Sequence, residues 1–257
     1  MRTSVVFYVS LYLNVPYDEK EEAKALGAKW NPYVKKWYVN CSYDAINKYS
    51  KWLLCGRESV VIAMDEIYII EGTMKCWKCK NRTKVFGLGV RDYVRLFCYN
   101  NRVSEEISSD FFISYPLFRL AYTDKEEFIP PAMLRYIKNN YNVFNEFSHS
   151  KNRVVFANHC EHCMARQGNW FVYDRADGPF STNAANEIEL KSRMEDLLIM
   201  NIPIYDDIPL FWKCSYTPND FAYFEYAKQE TLSLSGSKDG IASYSDLFLP
   251  GDYYDIN

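Results

Sequence analysis

Cys76-Trp77-Lys78-Cys79 is echoed late in the chain by Cys160-Glu161-His162-Cys163. Each stretch sets two thiols on one tight turn. Two such knuckles can complete a tetrahedron around one Zn2+, with Zn–S distances of ~2.3 Å. Between Cys79 and Cys160 lie 80 residues. Loop-closure entropy rises slowly with length, so a folded insertion is compatible with one shared, ribbon-like site. His159 and His162 flank the second pair and either could replace a cysteine; both are expected beside the ion rather than on it. Four cysteines leave no open coordination position, so the zinc is expected to be structural. A redox dithiol fits less well, because the thioredoxin-type motif opens a helix. Here Gly168 and Trp170 follow Cys163 and suggest a turn and a return strand.

Working outward, residues 60–70 read as a strand entering the first pair and residues 85–88 as a strand leaving it. Residues 154–157 read as a strand feeding the second pair, and residues 170–173 as its return. Residues 132–141 form an expected helix with Pro131 in its first turn. The spacing of Ile188, Leu190, Met194, Leu197 and Leu198 extends an expected helix over residues 184–200. Residues 210–214 and 221–226 read as late strands, and residues 91–128 show no clean period. The fold class is α+β. It is expected to divide into a small strand–helix–strand–helix module at residues 1–56, a zinc-ribbon-containing mixed domain at 57–231, and an acidic-aromatic tail at 232–257. The tail reads as loosely packed or as a docking peptide.

In the N-terminal module, residues 5–15 read as a strand and residues 18–26 as a helix with acids in its first turn. Gly27 is placed to cap that helix. Residues 36–39 follow as a second strand, and Ser42 can cap a second helix over 43–54, ended by Gly56. The apolar start is interrupted by Ser10 and Asn14, with no cleavage signal before Pro16, so a strand is preferred to a signal peptide. No apolar run approaches the ~20 residues that span a bilayer, and a cytoplasmic location is the expectation.

Composition narrows the function less than the motifs do. The chain's 257 residues carry a net charge of −3, which excludes an overall basic excess for gripping duplex phosphates but leaves a local basic face open. The 22 tyrosines suit cores, wet interfaces and base-stacking surfaces alike, so they do not choose among them. The scattered Cys41, Cys55, Cys98 and Cys214 read as small packing residues.

The stretch from Tyr12 to Trp30, with its Leu13-Asn14-Val15-Pro16-Tyr17 start and Glu22-Ala23-Lys24-Ala25-Leu26-Gly27-Ala28-Lys29-Trp30 core, resembles the bacterial domain DUF5710. So does the closing Lys36-Trp37-Tyr38-Val39. The resemblance implies a connection to DNA processing on mobile elements, since the domain occurs in relaxase- and primase-like proteins. The pattern of Trp30, Lys35, Lys36 and Trp37 also resembles the HARP domain of annealing helicases. Aromatics beside lysines can stack bases and hold phosphates, so these four residues are candidate contacts for single-stranded nucleic acid. The competing reading makes the two tryptophans the module's own core. Asn158-His159-Cys160-Glu161-His162-Cys163, with Gln167-Gly168-Asn169 and Gly178-Pro179-Phe180, resembles an uncharacterised zinc-ribbon-like family.

The expected function is a non-enzymatic, zinc-stabilised binding protein associated with nucleic-acid transactions. The rival is an adaptor that captures a protein through its C-terminal tail. No Ser/His/Asp signature, phosphate loop or paired-carboxylate motif supports an enzyme.

Overall fold

The structure, a computed structural model, describes residues 8–32, 35–52, 60–99, 102–106, 118–214, 217–236 and 238–248. The chain begins with β1 (Tyr8–Leu13), a 3-10 turn (Tyr17–Glu19), α1 (Lys20–Ala25), β2 (Lys29–Asn31) and β3 (Lys36–Ser42). These strands form an antiparallel sheet in the order β1-β3-β2. Gly27 has φ +97°, as its place after α1 requires. The expected second helix is present over Tyr43–Tyr49, wound as a 3-10 helix; the end expected at residues 54–56 lies outside the described residues.

Two long strands, β4 (Val60–Lys75) and β5 (Arg82–Tyr99), then form a hairpin that is the axis of the molecule. β6 (Arg102–Glu106) and β7 (Arg119–Tyr122) pair with β5 on its far side. They occupy part of the stretch that showed no period. α2 (Pro131–Asn140) carries Pro at its start, as expected. β8 (Val143–Ser148), β9 (Arg153–His159) and β10 (Arg166–Gln167) make a second small sheet in the order β10-β9-β8. α3 (Glu187–Met194), β11 (Leu198–Pro203), β12 (Ile208–Leu210), β13 (Lys213–Cys214), α4 (Phe221–Tyr226), β14 (Lys228–Thr231) and α5 (Tyr244–Leu247) complete the fold. The main sheet runs β13-β7-β5-β4-β11-β14, with β12 also on β4 and β6 on β5; among the described residues its strands pair antiparallel except β11–β14, which is parallel.

Alternation along β4 loads both faces of this sheet. Ile67 and Ile69 join the core that includes α2 and α5 residues, and Tyr68 and Ile70 join the core with Phe180, α3 and α4. A third core belongs to the N-terminal sheet and takes in Ile62 and Phe211 from the rest of the chain.

Four expectations change. Trp170–Asp174 is a single π-helical turn, closed by the Arg175 N–H donating to the Trp170 carbonyl at 2.8 Å. The return strand is the two residues before Gly168. Residues 184–200 divide into α3, capped by the Asn186 side chain, and β11. Phe221–Tyr226 is helical. Last, the tail does not hang free over residues 242–248. Ala242, Tyr244, Leu247 and Phe248 are buried in the main core, and Ser243 closes a capping box with Asp246 on α5. Residues 249–257 lie outside the described residues. No described helix is long and apolar enough to cross a membrane.

Candidate metal centre and the surfaces beside it

Each cysteine pair sits in a six-residue loop closed by a strand pair. Residues 76–81 follow the Lys75–Arg82 pairing of β4 and β5, and residues 160–165 follow the His159–Arg166 pairing of β9 and β10. The two loops repeat the same backbone. The Cys76 N–H donates to the Asn81 carbonyl and the Lys80 N–H to the Cys76 carbonyl, at 2.9 and 3.0 Å. The Cys160 N–H donates to Ala165 and the Met164 N–H to Cys160 at the same distances. Lys80 and Met164, the fifth residue of each loop, both take left-handed φ, +65° and +59°. In each loop a backbone N–H two residues on, from Lys78 or His162, points at the first thiol at 3.4 Å.

The knuckles meet in an antiparallel sense. Cys76 Sγ lies 3.6 Å from Cys163 Sγ, and Cys79 Sγ lies 3.6 Å from Cys160 Sγ. All four sulfurs lie within 4.8 Å of one another. A disulfide requires ~2.05 Å. Four sulfurs ~2.3 Å from one centre stand about 3.8 Å apart. The separations therefore suit an ion held by four thiolates. The cluster is compatible with a zinc-ribbon-like site.

Electrostatics point the same way. Burial opposes ionisation of Cys76, but the N–H groups of Cys79 and Lys78 and the neighbouring thiols outweigh it and hold its pKa down at about 6. At Cys79 the Asn81 N–H favours the thiolate, yet desolvation and the three other sulfurs push the thiol up to about 12. A charge on one thiol disfavours a charge on the next, as like charges sharing a site do.

Side chains around the thiols lock the knuckles together, and they explain the residues that flank the second pair. The Asn158 amide clamps β5, accepting from the Phe86 N–H at 2.9 Å and donating to the Phe86 carbonyl at 3.0 Å. The Glu161 carboxylate accepts from the Lys84 N–H at 3.1 Å, and the Glu161 N–H donates to Thr83 Oγ1 at 3.0 Å. Gln167 Nε2 donates to Cys76 Sγ at 3.3 Å. The histidines serve elsewhere. His162 Nε2 donates to the Arg82 carbonyl at 2.9 Å. His159 is fully buried, stacked on Phe144, with its ring nitrogens 2.9 Å from the Ala157 carbonyl and 3.0 Å from Glu146 Oε2. Phe180, from the Gly178-Pro179-Phe180 stretch, packs against Gly72 and Gly87 of the long hairpin.

The N-terminal candidates separate. Trp37 is 8% exposed and belongs to the module core, whereas Trp30 is 48% exposed and meets it edge-on at 5.6 Å. Lys35 is exposed in the turn before β3 with φ +52°, and Lys36 is half-buried. Two of the four, Trp30 and Lys35, are thus open to solvent.

Comparison with known proteins fits this module. Residues 10–53 match the domain of unknown function DUF5710. Two segments of proteins called DNA primase TraC, both from Escherichia coli, are similar as well. One is 44% identical over 55 residues, 21% of this chain and 5% of the relative. The other is 51% identical over 41 residues, 16% of this chain and 3% of the relative. The chain thus spans a very small part of the relatives it matches. No solved structure matches it.

Sequence reasoning missed one surface. Trp77 and Trp170 stand exposed beside the knuckles, with Phe171 stacked on Trp77. The Lys-Cys-Trp-Lys-Cys-Lys-Asn-Arg-Thr-Lys run at residues 75–84 could have pointed to it, because its charge departs from that of the whole chain.

Proposed function

We propose that the chain is a non-enzymatic, zinc-stapled binding protein serving nucleic-acid transactions of mobile elements, and that it binds single-stranded nucleic acid. Two observations carry the reading: the DUF5710 match over residues 10–53 and the short segments similar to DNA primase TraC. Priming activity itself is not carried over, because the shared segment is so small a part of those proteins.

Zinc is the ion proposed for the cluster. It takes four thiolates in tetrahedral geometry without redox change, and a closed set of four leaves no position for a reacting water. Cys76, Cys79, Cys160 and Cys163 would hold it. Its role would be to fix the β4–β5 turn against the β9–β10 turn. Trp30 and Lys35, with Lys36 and Trp37 behind them, form the proposed N-terminal contact.

Elemental analysis of the purified chain, with short single-stranded DNA titrated at two salt concentrations, tests the reading. About one zinc per chain and binding that weakens with salt are expected. The double variant Lys35→Glu, Lys36→Glu should weaken binding further if the N-terminal face takes part. Zinc without DNA binding at either salt would sink the nucleic-acid reading and favour a protein partner.

A further inference from the structure

The first knuckle is strongly basic within a chain of net charge −3. Residues 75–84 hold Lys75, Lys78, Lys80, Arg82 and Lys84 and no acid. All five are exposed. Lys84 pairs with Glu71 at 3.0 Å. The other four make no ion pair among the described residues.

Beside this knuckle opens a cleft of about 750 Å3. Trp77 and Lys78 of the first knuckle, Met164 and Arg166 at the second, and Trp170 and Phe171 of the π turn all line it. Trp77 and Phe171 stack with ring centroids 6.2 Å apart and planes 13° from parallel. Trp170 meets Phe171 edge-on at 5.0 Å. These rings are not core. Trp77 is 44% exposed and Trp170 58%. The rim is open at Gly168, where an added Cβ would meet nothing within 4 Å.

The cleft's acids are already engaged. Asp124 holds Lys151 at 2.6 Å and Arg153 at 2.9 Å, and Glu146 lies 3.0 Å from His159 and 3.9 Å from Arg166 Nε.

Exposed flat rings and unpaired cations together select a polyanion that carries planar groups. We propose that this cleft binds single-stranded nucleic acid, with bases stacked on Trp170 and Trp77 and phosphates held by Lys78, Arg166 and the neighbouring knuckle cations. The assignment rests on the proposed function and locates it at the metal centre. A single strand bends to present both faces and phosphates, and stacking tolerates any base. The Gln167 bond to Cys76 Sγ ties the cleft wall to the thiol cluster.

The test uses the full chain and a fluorescent oligothymidylate of about 15 nucleotides, a length set by single-strand site sizes. Anisotropy titrations run at several salt concentrations. Trp170→Ala should weaken binding by about 5- to 150-fold, the range of one lost base stack, and Trp170→Phe should recover most of it. Lys78→Ala should lower the slope of log affinity against log salt by about 0.7, one phosphate contact on a single strand. Zinc content and circular dichroism report folding. Should Trp170→Ala lose either, the exposed Lys78→Ala decides. Wild-type affinity and slope in both variants, with binding lost in Lys35→Glu, Lys36→Glu, would overturn the cleft and leave the proposed function standing. An oligonucleotide that the unaltered chain does not bind at any salt would overturn both.

Discussion

Four thiols lie within 4.8 Å of one another, and the opposite displacement of Cys76 and Cys79 expresses the conflict between neighbouring charges. Cys160 is the most informative single change, because it is fully buried and its loop is closed by a two-residue strand. Cys160→Ala should abolish metal retention and cost about 4 kcal/mol or more, as expected when a structural metal is lost. Zinc per chain and the urea midpoint would check it. A variant that keeps both would show that the cluster is only a packing site. Asp124 gives a residue-scale test in pH. Burial raises its pKa, but hydrogen bonds and charge from Lys151 and Arg153 outweigh burial and leave it lowered. A lowered carboxyl contributes stability that is present above its unfolded value of ~3.9 and is lost as pH falls through the native value. Its cationic partners are about half exposed, so the contribution is about 1 kcal/mol. Asp124→Asn should therefore cost about that much in urea unfolding at pH 7 and progressively less as pH falls below ~3.9 through the native value. A cost that does not fall with pH would show that the pairing is not its source. At this scale the four cysteines were legible because the spacing is their chemistry. The roles of Asn158 and Gln167 were not, because each acts on a strand or sulfur more than 70 residues away.

Elements show where local pattern and tertiary packing part. Trp170-Phe171-Val172-Tyr173 carries strand propensity, but a π turn buries Val172 and leaves Trp170 outside. The run Leu197-Leu198-Ile199-Met200 continues a helical period into a strand, an ambiguity that apolar runs do not resolve by themselves. Phe221–Tyr226 is aromatic yet helical because Phe224 meets the rings of Tyr68 and Phe118 at 5.6 and 5.2 Å. Those rings, in turn, depend on glycine in the long hairpin. Gly89 lies on the face of β5 where a Cβ would fall 2.4 Å from two atoms of the Phe118 ring, itself buried. Gly89→Ala must displace that ring and its aromatic neighbours. It should cost about 1–3 kcal/mol, as overpacked cores do, seen as a lower thermal midpoint. Gly168→Ala, with nothing within 4 Å, is the matched control. An unchanged midpoint for Gly89→Ala would mean that the aromatic layer is loosely held.

Across the whole molecule, part of the segment read from composition as a loose tail or a docking peptide packs against both the N-terminal sheet and the main core. Tyr244 packs against Tyr12 of β1 with ring centroids 4.2 Å apart and planes tilted by 36°, and it stacks on Phe248 at 4.5 Å. The Tyr244 N–H donates to Asp206 at 2.7 Å, and the Ser10 N–H donates to the adjacent Asp207 at 2.6 Å. Ala242 bridges Ile204 in parallel register. The N-terminal sheet and α5 therefore close on the same 204–207 stretch. Composition could not reveal this, because Ser, Gly and Asp mark turns and caps as readily as disorder, and here Ser243 and Asp246 are a capping box. Leu247 distinguishes the readings. It is 0% exposed in the core that contains Ile67 and Met200. Leu247→Ala should cost about 2–5 kcal/mol, the range for a buried leucine cut to its Cβ. Because Tyr244 also reaches β1, the loss should appear in one cooperative transition, with near-ultraviolet dichroism of the N-terminal tryptophans and far-ultraviolet signal falling together in urea. A tail that merely docks on a finished fold would leave the midpoint of Leu247→Ala unchanged. A midpoint shift in the far-ultraviolet signal alone would instead mean that the N-terminal module folds independently of the sheet against which it packs.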